Sequence, residues 1–321
     1  MLLQRSVRAC SRPVPLIGAS KLARHNAMTT KKNILISGAG GLIGSALCDA
    51  LRGRGHTVRT LSRSSGDVRW DPVNGQLDSG ALDGVDAVVH LAGEPIAQRW
   101  TDDAKRRILD SRVKGTRLLA EAIAACATKP SFICASGANF YGHAPDAAVD
   151  ENSPSGQGFL AEVCRAWEAA AQPAVAAGAR TVFMRTGIVL SSEGGALAKM
   201  LPPFKVGVGG RIGDGKQSMS WISLPDLVQA YVFAMENETV SGAVNAVAPE
   251  PASNRVFTKT LGSVIGRPTI LPLPAAVVTT LFGEMGEETV LADLVVRPAR
   301  LKELGFEWAH PDLESALRAA M

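Results

Sequence analysis

No acidic residue occurs before Asp49, whereas Arg5, Arg8, Arg12, Lys21 and Arg24 fall within residues 1–27. Those five exceed the whole formal net charge of +4 and leave −1 for the remainder. The basic balance therefore belongs to the leader and argues against a nucleic-acid surface. Leu2, Leu3, Val7 and Leu16 stand among Arg and Ser residues without the continuous apolar core of a secretory signal. The expectation is a transit peptide or disordered leader over residues 1–31, with a mitochondrial destination, a plastid one as the alternative, and a cytoplasmic one if translation starts at Met28. Long apolar runs are also missing. The most apolar tract, around Leu271 to Phe282, contains Pro272 and Pro274 and falls short of the roughly 20 residues of a membrane-spanning helix.

Cysteine is scarce and scattered: Cys10, Cys48, Cys126, Cys134 and Cys164 contain no C-x-x-C. This argues against a disulfide framework or a zinc site and fits a reducing compartment. The five histidines show no H-x-x-x-H pair, so no protein-bound metal is expected. Tyrosine is rarer still. Tyr141 and Tyr231 are the only two, and no Y-x-x-x-K occurs in the chain.

Glycine is plentiful, with 32 among 321 residues, and the stretch Lys32 to Gly44 uses it in a defined context. Asn33 to Ser37 is a short β-rich run suited to a buried parallel strand, while Leu42, Ile43, Leu47 and Leu51 recur at helical spacing with Gly53 and Gly55 as stops. Gly38, Gly41 and Gly44 fall between them. At such a junction one glycine permits a sharp turn, another lets the backbone approach a pyrophosphate, and a third lets helix pack on strand, the helix N-terminus facing the anion. The pattern predicts a dinucleotide site. A second strand, Thr57 to Leu61, ends at Ser62-Arg63, and no acid lies between Asp49 and Asp67 to accept from a free ribose 2′-hydroxyl. Ser62 and Arg63 suit a 2′-phosphate instead, so NADP(H) is expected over NAD(H). The bland alternative is a solvated arginine at a loop end.

Val68-Arg69-Trp70 and the residues after Asn74-Gly75 read as a β-ribbon replacing the usual helical crossover. Asp86 to Gly93 is a buried strand running into glycine, followed by Glu94, for which a catalytic role competes with a cofactor or structural one. Thr101, with Asp102 and Asp103 behind it, opens a helix to about Ala127. Its inward stripe is Ala104, Ile108, Gly115, Leu119 and Ile123, and Arg112 shares that stripe, either as a crevice cation beside the cofactor or as a snorkelling side chain. Strands follow at Phe132 to Ala135 and Arg180 to Thr186, separated by a helix from about Gln157 to Ala171. Residues 191–220 read as a glycine-rich substrate lid, in which Lys205, Arg211 and Lys216 either meet a phosphate or are solvated. A helix after Trp221-Ile222, a strand at Gly242 to Val247, a helix near Pro274 to Gly283 and a terminal helix from Asp312 to Ala320 complete the reading.

His90 to Ile96, Arg99-Trp100, Asp110-Ser111-Arg112, Tyr141-Gly142, Trp167-Glu168, Arg185-Thr186-Gly187, Pro202-Pro203-Phe204, Gly209-Gly210 and Trp221-Ile222 together resemble one family. This is the atypical extended short-chain dehydrogenase/reductase group called epimerase family 39U-like, or nucleoside-diphosphate-sugar epimerase-like, and the likeness runs from about Asn33 to the C-terminus. It implies an α/β fold with a Rossmann-type doubly wound parallel sheet over residues 32–190. A lid and smaller substrate-side domain would occupy 191–321, returning to the nucleotide domain near 221–248. It further implies cofactor contacts from Gly38, Gly40, Gly41, Leu42, Ile43, Gly44, Ser62, Arg63, Leu91, Ala92, Gly93, Glu94, Arg112 and Val189.

The superfamily's Ser-Tyr-Lys machinery is incomplete. Counting back from Trp167-Glu168 puts Cys164 at the lysine position and Leu160 at the tyrosine position. Ser136 and Tyr141 are the remaining catalytic candidates, although Ser136 lies five residues before Tyr141 and Gly137 holds the more usual spacing. Cys164, on an apolar stripe with Leu160, Trp167 and Ala171, reads as a packed thiol. Two functions stay open: an NADP-dependent oxidoreductase or sugar-nucleotide epimerase acting on a small molecule, phosphate-bearing in one reading, and a non-catalytic NADPH-binding sensor or structural protein of an organelle.

Overall fold

The computed structural model describes residues 30–321, so nearly all of the expected leader lies outside the described residues. Strand β1 (Asn33–Ser37) passes through the glycine turn into helix α1 (Leu42–Gly53), which returns the chain to β2 (Thr57–Ser62). Leu47, Cys48 and Leu51 are buried on one side of α1, as the helical spacing requires. No helix follows β2. Loop 63–67 leads directly to β3 (Val68–Asp71), which pairs parallel to β2, and the Asn74-Gly75 turn folds β4 (Gln76–Leu77) antiparallel on β3. The expected β-ribbon is thus present.

Next come β5 (Ala87–His90), the long α2 (Asp102–Ala125) and β6 (Ser131–Gly137). The Thr101 hydroxyl accepts from Ala104 N and caps α2 with Asp102 and Asp103 in its first turn. Every residue of the predicted inward stripe is buried. A single 3-10 turn, Ala138–Tyr141, leaves β6 and leads to β7 (Ala144–Val149) and then α3 (Phe159–Ala169), α4 (Gln172–Ala176) and β8 (Thr181–Thr186).

The chain then makes β9 (Ile188–Leu190), α5 (Gly195–Lys205), β10 (Ser218–Met219), β11 (Trp221–Ser223) and α6 (Leu224–Glu236), and re-enters the main sheet as β12 (Gly242–Ala246). The eight strands of that sheet run β12-β8-β6-β5-β1-β2-β3-β4, all parallel except β4. Helices α1 and α6 cover one face, with Leu47, Leu51, Leu227 and Tyr231 in its core. Helices α2, α3 and α4 cover the other, with Leu119, Ile123, Trp167, Ala174 and the ribbon's Trp70. This is the doubly wound arrangement expected. The strand order reverses between β1 and β5, where such sheets open a crevice at their carboxyl ends.

The remainder is β13 (Ala252–Ser253), α7 (Asn254–Ile265), α8 (Ala275–Phe282), α9 (Glu284–Thr289), β14 (Leu294–Val296), α10 (Ala299–Glu303) and α11 (Leu313–Ala319). Residues 191–220, expected as an irregular lid, contain α5. Leu197, Leu201 and Phe204 bury at helical spacing against Trp221, Phe257, Leu261 and Leu317 in a separate core, which holds the helix together although Pro202 and Pro203 sit in its last turns. Helix α7 also escapes the sequence reading despite clear marks: the Ser253 hydroxyl accepts from Val256 N, Phe257 and Leu261 face inward, and Gly266 closes it in the left-handed conformation. Among the described residues no helix is long and apolar enough to cross a membrane.

Candidate cofactor and active site

The glycine turn is built by close approach. Gly38 has φ +74°, and a Cβ there would stand 2.8 Å from Ala92 N, so strand ends β1 and β5 meet only because it is glycine. At Gly44 a Cβ would lie 2.2 Å from Gly38 O, which fixes α1 against the turn. Gly40 differs, since nothing lies within 4 Å of its Cβ position. The α1 N-cap, Gly41, makes no side-chain hydrogen bond and the first turn holds no acid. An open, uncapped, positively polarised helix end bordered by glycine is suited to a diphosphate. Gly194 and Gly195 of the expected lid approach Leu42, whose Cδ2 lies 3.5 and 3.7 Å from their Cβ positions.

At the end of β2, Ser62 is half-buried and Arg63 exposed. Ser62 Oγ accepts from Ser64 N and Ser65 N at 3.3 and 3.4 Å. Arg63 has no hydrogen-bond or ion-pair partner among the described residues, so its guanidinium is available to an anion.

Beneath the crevice, Ser37 Oγ and His90 Nδ1 are 2.6 Å apart, and Leu91 N donates to the same hydroxyl at 3.2 Å. His90 is fully buried, with Trp70 edge-on at 5.8 Å and, among the described residues, no partner for Nε2. Burial, aided by the charge of Arg112, pushes its pKa down to about 3, so the ring is neutral. Past the end of β5, Glu94 N donates to Ser111 Oγ at 2.9 Å, and the Glu94 carboxylate accepts from Gln98 and more distantly from Arg107.

Arg112 reaches across from α2. Its Nη1 donates to Glu94 O (2.9 Å) and Ile108 O (3.1 Å), its Cζ lies 4.9 Å from the Trp167 ring, and a Cβ at Gly93 would be 3.1 Å away. No carboxylate pairs with it among the described residues. Burial lowers its pKa, while Cys164 and Glu94 raise it. Cys164 itself is buried, its Sγ 3.3 Å from where a Gly137 Cβ would be, and burial raises the thiol pKa to about 11. It is therefore a protonated, packed thiol. Val189 lies half-buried on β9, paired with Ile222.

Ser136 and Tyr141 belong to a second polar system. Ser136 Oγ donates to Glu168 Oε1 at 2.8 Å, and Glu168 receives Arg185 Nε and Nη2, both at 2.9 Å. Arg185 Nη1 donates to Tyr141 OH at 2.9 Å, and Tyr141 donates to Asn245 Oδ1 at 2.8 Å. Asn245 Nδ2 ends the chain on Arg297 O at 3.0 Å. Tyr141 is 2% and Ser136 4% exposed. Burial raises the Tyr141 pKa against the lowering effect of Arg185. Both hydroxyls are therefore engaged inside the protein.

Sequence reasoning left Arg185, Glu168 and Asn245 without a role. A charge within the apolar strand Thr181 to Thr186 was the available signal, because a buried guanidinium needs a partner. It also missed Glu288 of α9, whose carboxylate accepts from Phe159 N (2.7 Å) and Leu160 N (2.8 Å) and so caps α3 from 129 residues away. With the Lys105–Glu284 ion pair and the bond from Asn139 Nδ2 to Glu288 O, it ties α9 beside a cavity of about 300 Å³ lined by Asn139, His143, Gln157, Leu160 and Glu287. Nothing in sequence spacing signals so distant a cap. Among the described residues no group of three or more His, Cys, Asp or Glu side chains is placed to hold a metal ion.

The model of the NAD dependent epimerase/dehydratase family matches residues 34–246. The chain belongs to that family. A second model, a domain of unknown function (DUF1731), matches residues 273–320. The chain is 44% identical over 289 residues to the Epimerase family protein Mb2239 of Mycobacterium bovis, covering 88% of this chain and 96% of that protein. It is 37% identical to the Arabidopsis thaliana protein named Epimerase family protein SDR39U1 homolog, chloroplastic, covering 91% of this chain and 87% of that one. The crystal structure of human epimerase family protein SDR39U1 (isoform2) with NADPH superposes with a TM-score of 0.83 at 36% identity, covering 90% of this chain and 98% of that one. The resemblance inferred from the sequence motifs is therefore correct.

Proposed function

We propose that the chain binds NADP(H) at the carboxyl ends of β1, β2, β5 and β6 and acts as an NADP-dependent oxidoreductase or epimerase on a small molecule. The observation that carries this reading is the uncapped, acid-free N-terminus of α1 behind the open Gly40, together with an unpaired Arg63 and no acid at the end of β2. The human relative crystallised with NADPH supports the same cofactor. In this reading Gly38, Gly41, Leu42, Ile43 and Gly44 hold the diphosphate, Ser62 and Arg63 the 2′-phosphate, and Leu91 to Glu94, Arg112 and Val189 border the nicotinamide half. Bound NADPH would supply a hydride. Arg112 would hold an anionic or hydroxyl-bearing group in the crevice, since its charge has no carboxylate partner of its own. Residues 32–190 then serve the nucleotide and 191–321 the substrate, with 221–248 returning to the sheet. For the leader, its arginine content and lack of acids favour organelle import. We take mitochondrion as the destination, with plastid, the compartment in the Arabidopsis relative's name, as the alternative.

A second reading, NADPH binding without turnover, is favoured by one specific observation. Tyr141 and Ser136 hydroxyls already serve Asn245 and Glu168, and Cys164 offers no low-pKa thiol in place of a lysine. Titration with NADPH and NADH, followed by assay of NADPH consumption across carbonyl compounds and nucleotide sugars, separates the readings. Turnover of any of these compounds supports the enzyme, and its persistence in Tyr141→Phe would leave Tyr141 a structural role only, whereas tight binding without turnover favours the sensor. Arg63→Ala should weaken NADPH about tenfold and NADH little. Equal weakening of both would remove the 2′-phosphate assignment.

A further inference from the structure

The NADP(H) reading uses one arginine at the end of β2, and the fold brings a second beside it. Because loop 63–67 replaces a helical crossover, β3 lies directly against β2 in parallel register, with Leu61 opposite Val68 and Ser62 opposite Arg69. Side chains alternate along a strand. Val68 and Trp70 are each 5% exposed and packed inward, so Arg69 between them turns to the open side, as Ser62 does.

The loop that sets this spacing is tight. A Cβ at Gly66 would be 2.6 Å from Thr60 O, and the Asp67 carboxylate accepts from Thr60 N at 2.7 Å and from Thr60 Oγ1 at 2.9 Å. Arg63 and Arg69 line a single cavity of about 630 Å³ between the end of β2 and the ribbon. Two acids border it, and both are engaged: Asp71 accepts from Val73 N, Asn74 N and Asn74 Nδ2, and Asp78 accepts from Arg69 N. Neither arginine side chain has a hydrogen-bond or ion-pair partner among the described residues. Two unpaired guanidinium groups held at the edge of one cavity, with the Ser62 hydroxyl, which accepts from Ser64 N and Ser65 N and keeps its own proton to donate, in register beside Arg69, match a phosphate monoester dianion.

We propose that Arg69 is the second arm of a two-arginine clamp on the 2′-phosphate and sets the preference for NADP(H) jointly with Arg63. This deepens the NADP(H) reading and rests on it. The two arms differ in character. Arg63 follows the end of β2 in the loop, whereas Arg69 is anchored within a hydrogen-bonded strand, which fixes the direction from which the phosphate is met.

Dissociation constants for NADPH and NADH, measured on the full chain by calorimetric titration, test the clamp. Arg69→Ala should weaken NADPH about tenfold and change NADH less than about twofold, while Arg63→Ala/Arg69→Ala should lose roughly a hundredfold for NADPH. Arg69→Lys should retain part of the affinity, because it keeps the charge without the fork. Thermal unfolding confirms that each variant is folded, and Arg69→Gln replaces the alanine variant if that one is not. An Arg69 substitution that leaves NADPH unchanged, or weakens both nucleotides equally, overturns the clamp while Arg63 selectivity keeps the NADP(H) reading standing. Wild-type protein that retains neither nucleotide overturns both.

Discussion

Arg185 is buried and Arg112 half-buried, each beside an aromatic ring, yet their surroundings are opposite. Arg185 gives Nε and Nη2 to Glu168 and Nη1 to Tyr141, with its Cζ 3.5 Å from the centroid of Phe140. Arg112 meets only two backbone carbonyls and the face of Trp167. A buried cation with a bidentate carboxylate is complete, and its cost of desolvation is offset within the fold. One with no counter-ion remains costly until an anion or dipole arrives. The contrast marks Arg185 as a fastening and sets Ser136 and Tyr141 with it, while Arg112 is the binding group in the proposed reading.

The strongest way to break this contrast is at Glu168. Glu168→Ala leaves Arg185 buried without its carboxylate and should destabilise the protein by about 3–5 kcal/mol, read by denaturant unfolding. A loss below about 1 kcal/mol would mean the pair contributes little and that Arg185 is no more satisfied than Arg112.

A second test uses pH. The His90 pKa is held down to about 3, first by burial and then by Arg112, against about 6.5 in an unfolded chain. Its folded pKa is depressed, so the unfolded state binds the extra proton. Stability is full above about pH 6.5 and falls by up to about 1.4 kcal/mol per pH unit as pH drops toward 3. His90→Asn should flatten that limb in thermal unfolding measured between pH 7 and 4. An unchanged limb would assign the acid sensitivity to other groups.

The smallest stability effect is expected at Arg112. Arg112→Met keeps the stem over Trp167 and removes an uncompensated charge, so stability should change by less than about 1 kcal/mol. NADPH affinity should nevertheless fall about tenfold. Loss of stability comparable to Glu168→Ala, with affinity intact, would make Arg112 a fastening too.

Much of the main sheet and its first helices was legible because the signals are local. Strand, glycine turn and helix follow one another within Asn33 to Gly53, and the stripe of α2 repeats at a period that chemistry imposes. The β-ribbon was legible for the same reason, since Asn74-Gly75 is a turn signal of its own. What the sequence hid is non-local. Leu197, Leu201 and Phe204 mark a helix only when the core made by Phe257 and Leu317 is known to receive them. Proline overrode that reading because its local penalty is visible and its tertiary compensation is not. Tyr141 illustrates the same limit in the site. A tyrosine near a strand end suggests proton transfer, but Asn245, 104 residues later, and Arg185 take its hydroxyl.

The cap that Glu288 places on Phe159 and Leu160 also bears on the order of events during synthesis. As the chain leaves the ribosome, α3 is complete in sequence long before the carboxylate that replaces water on its leading amides is made, and the sheet lacks the edge strand beside β8 until Gly242–Ala246 has emerged. Closure around the start of α3 thus follows synthesis of α9, well over a hundred residues downstream.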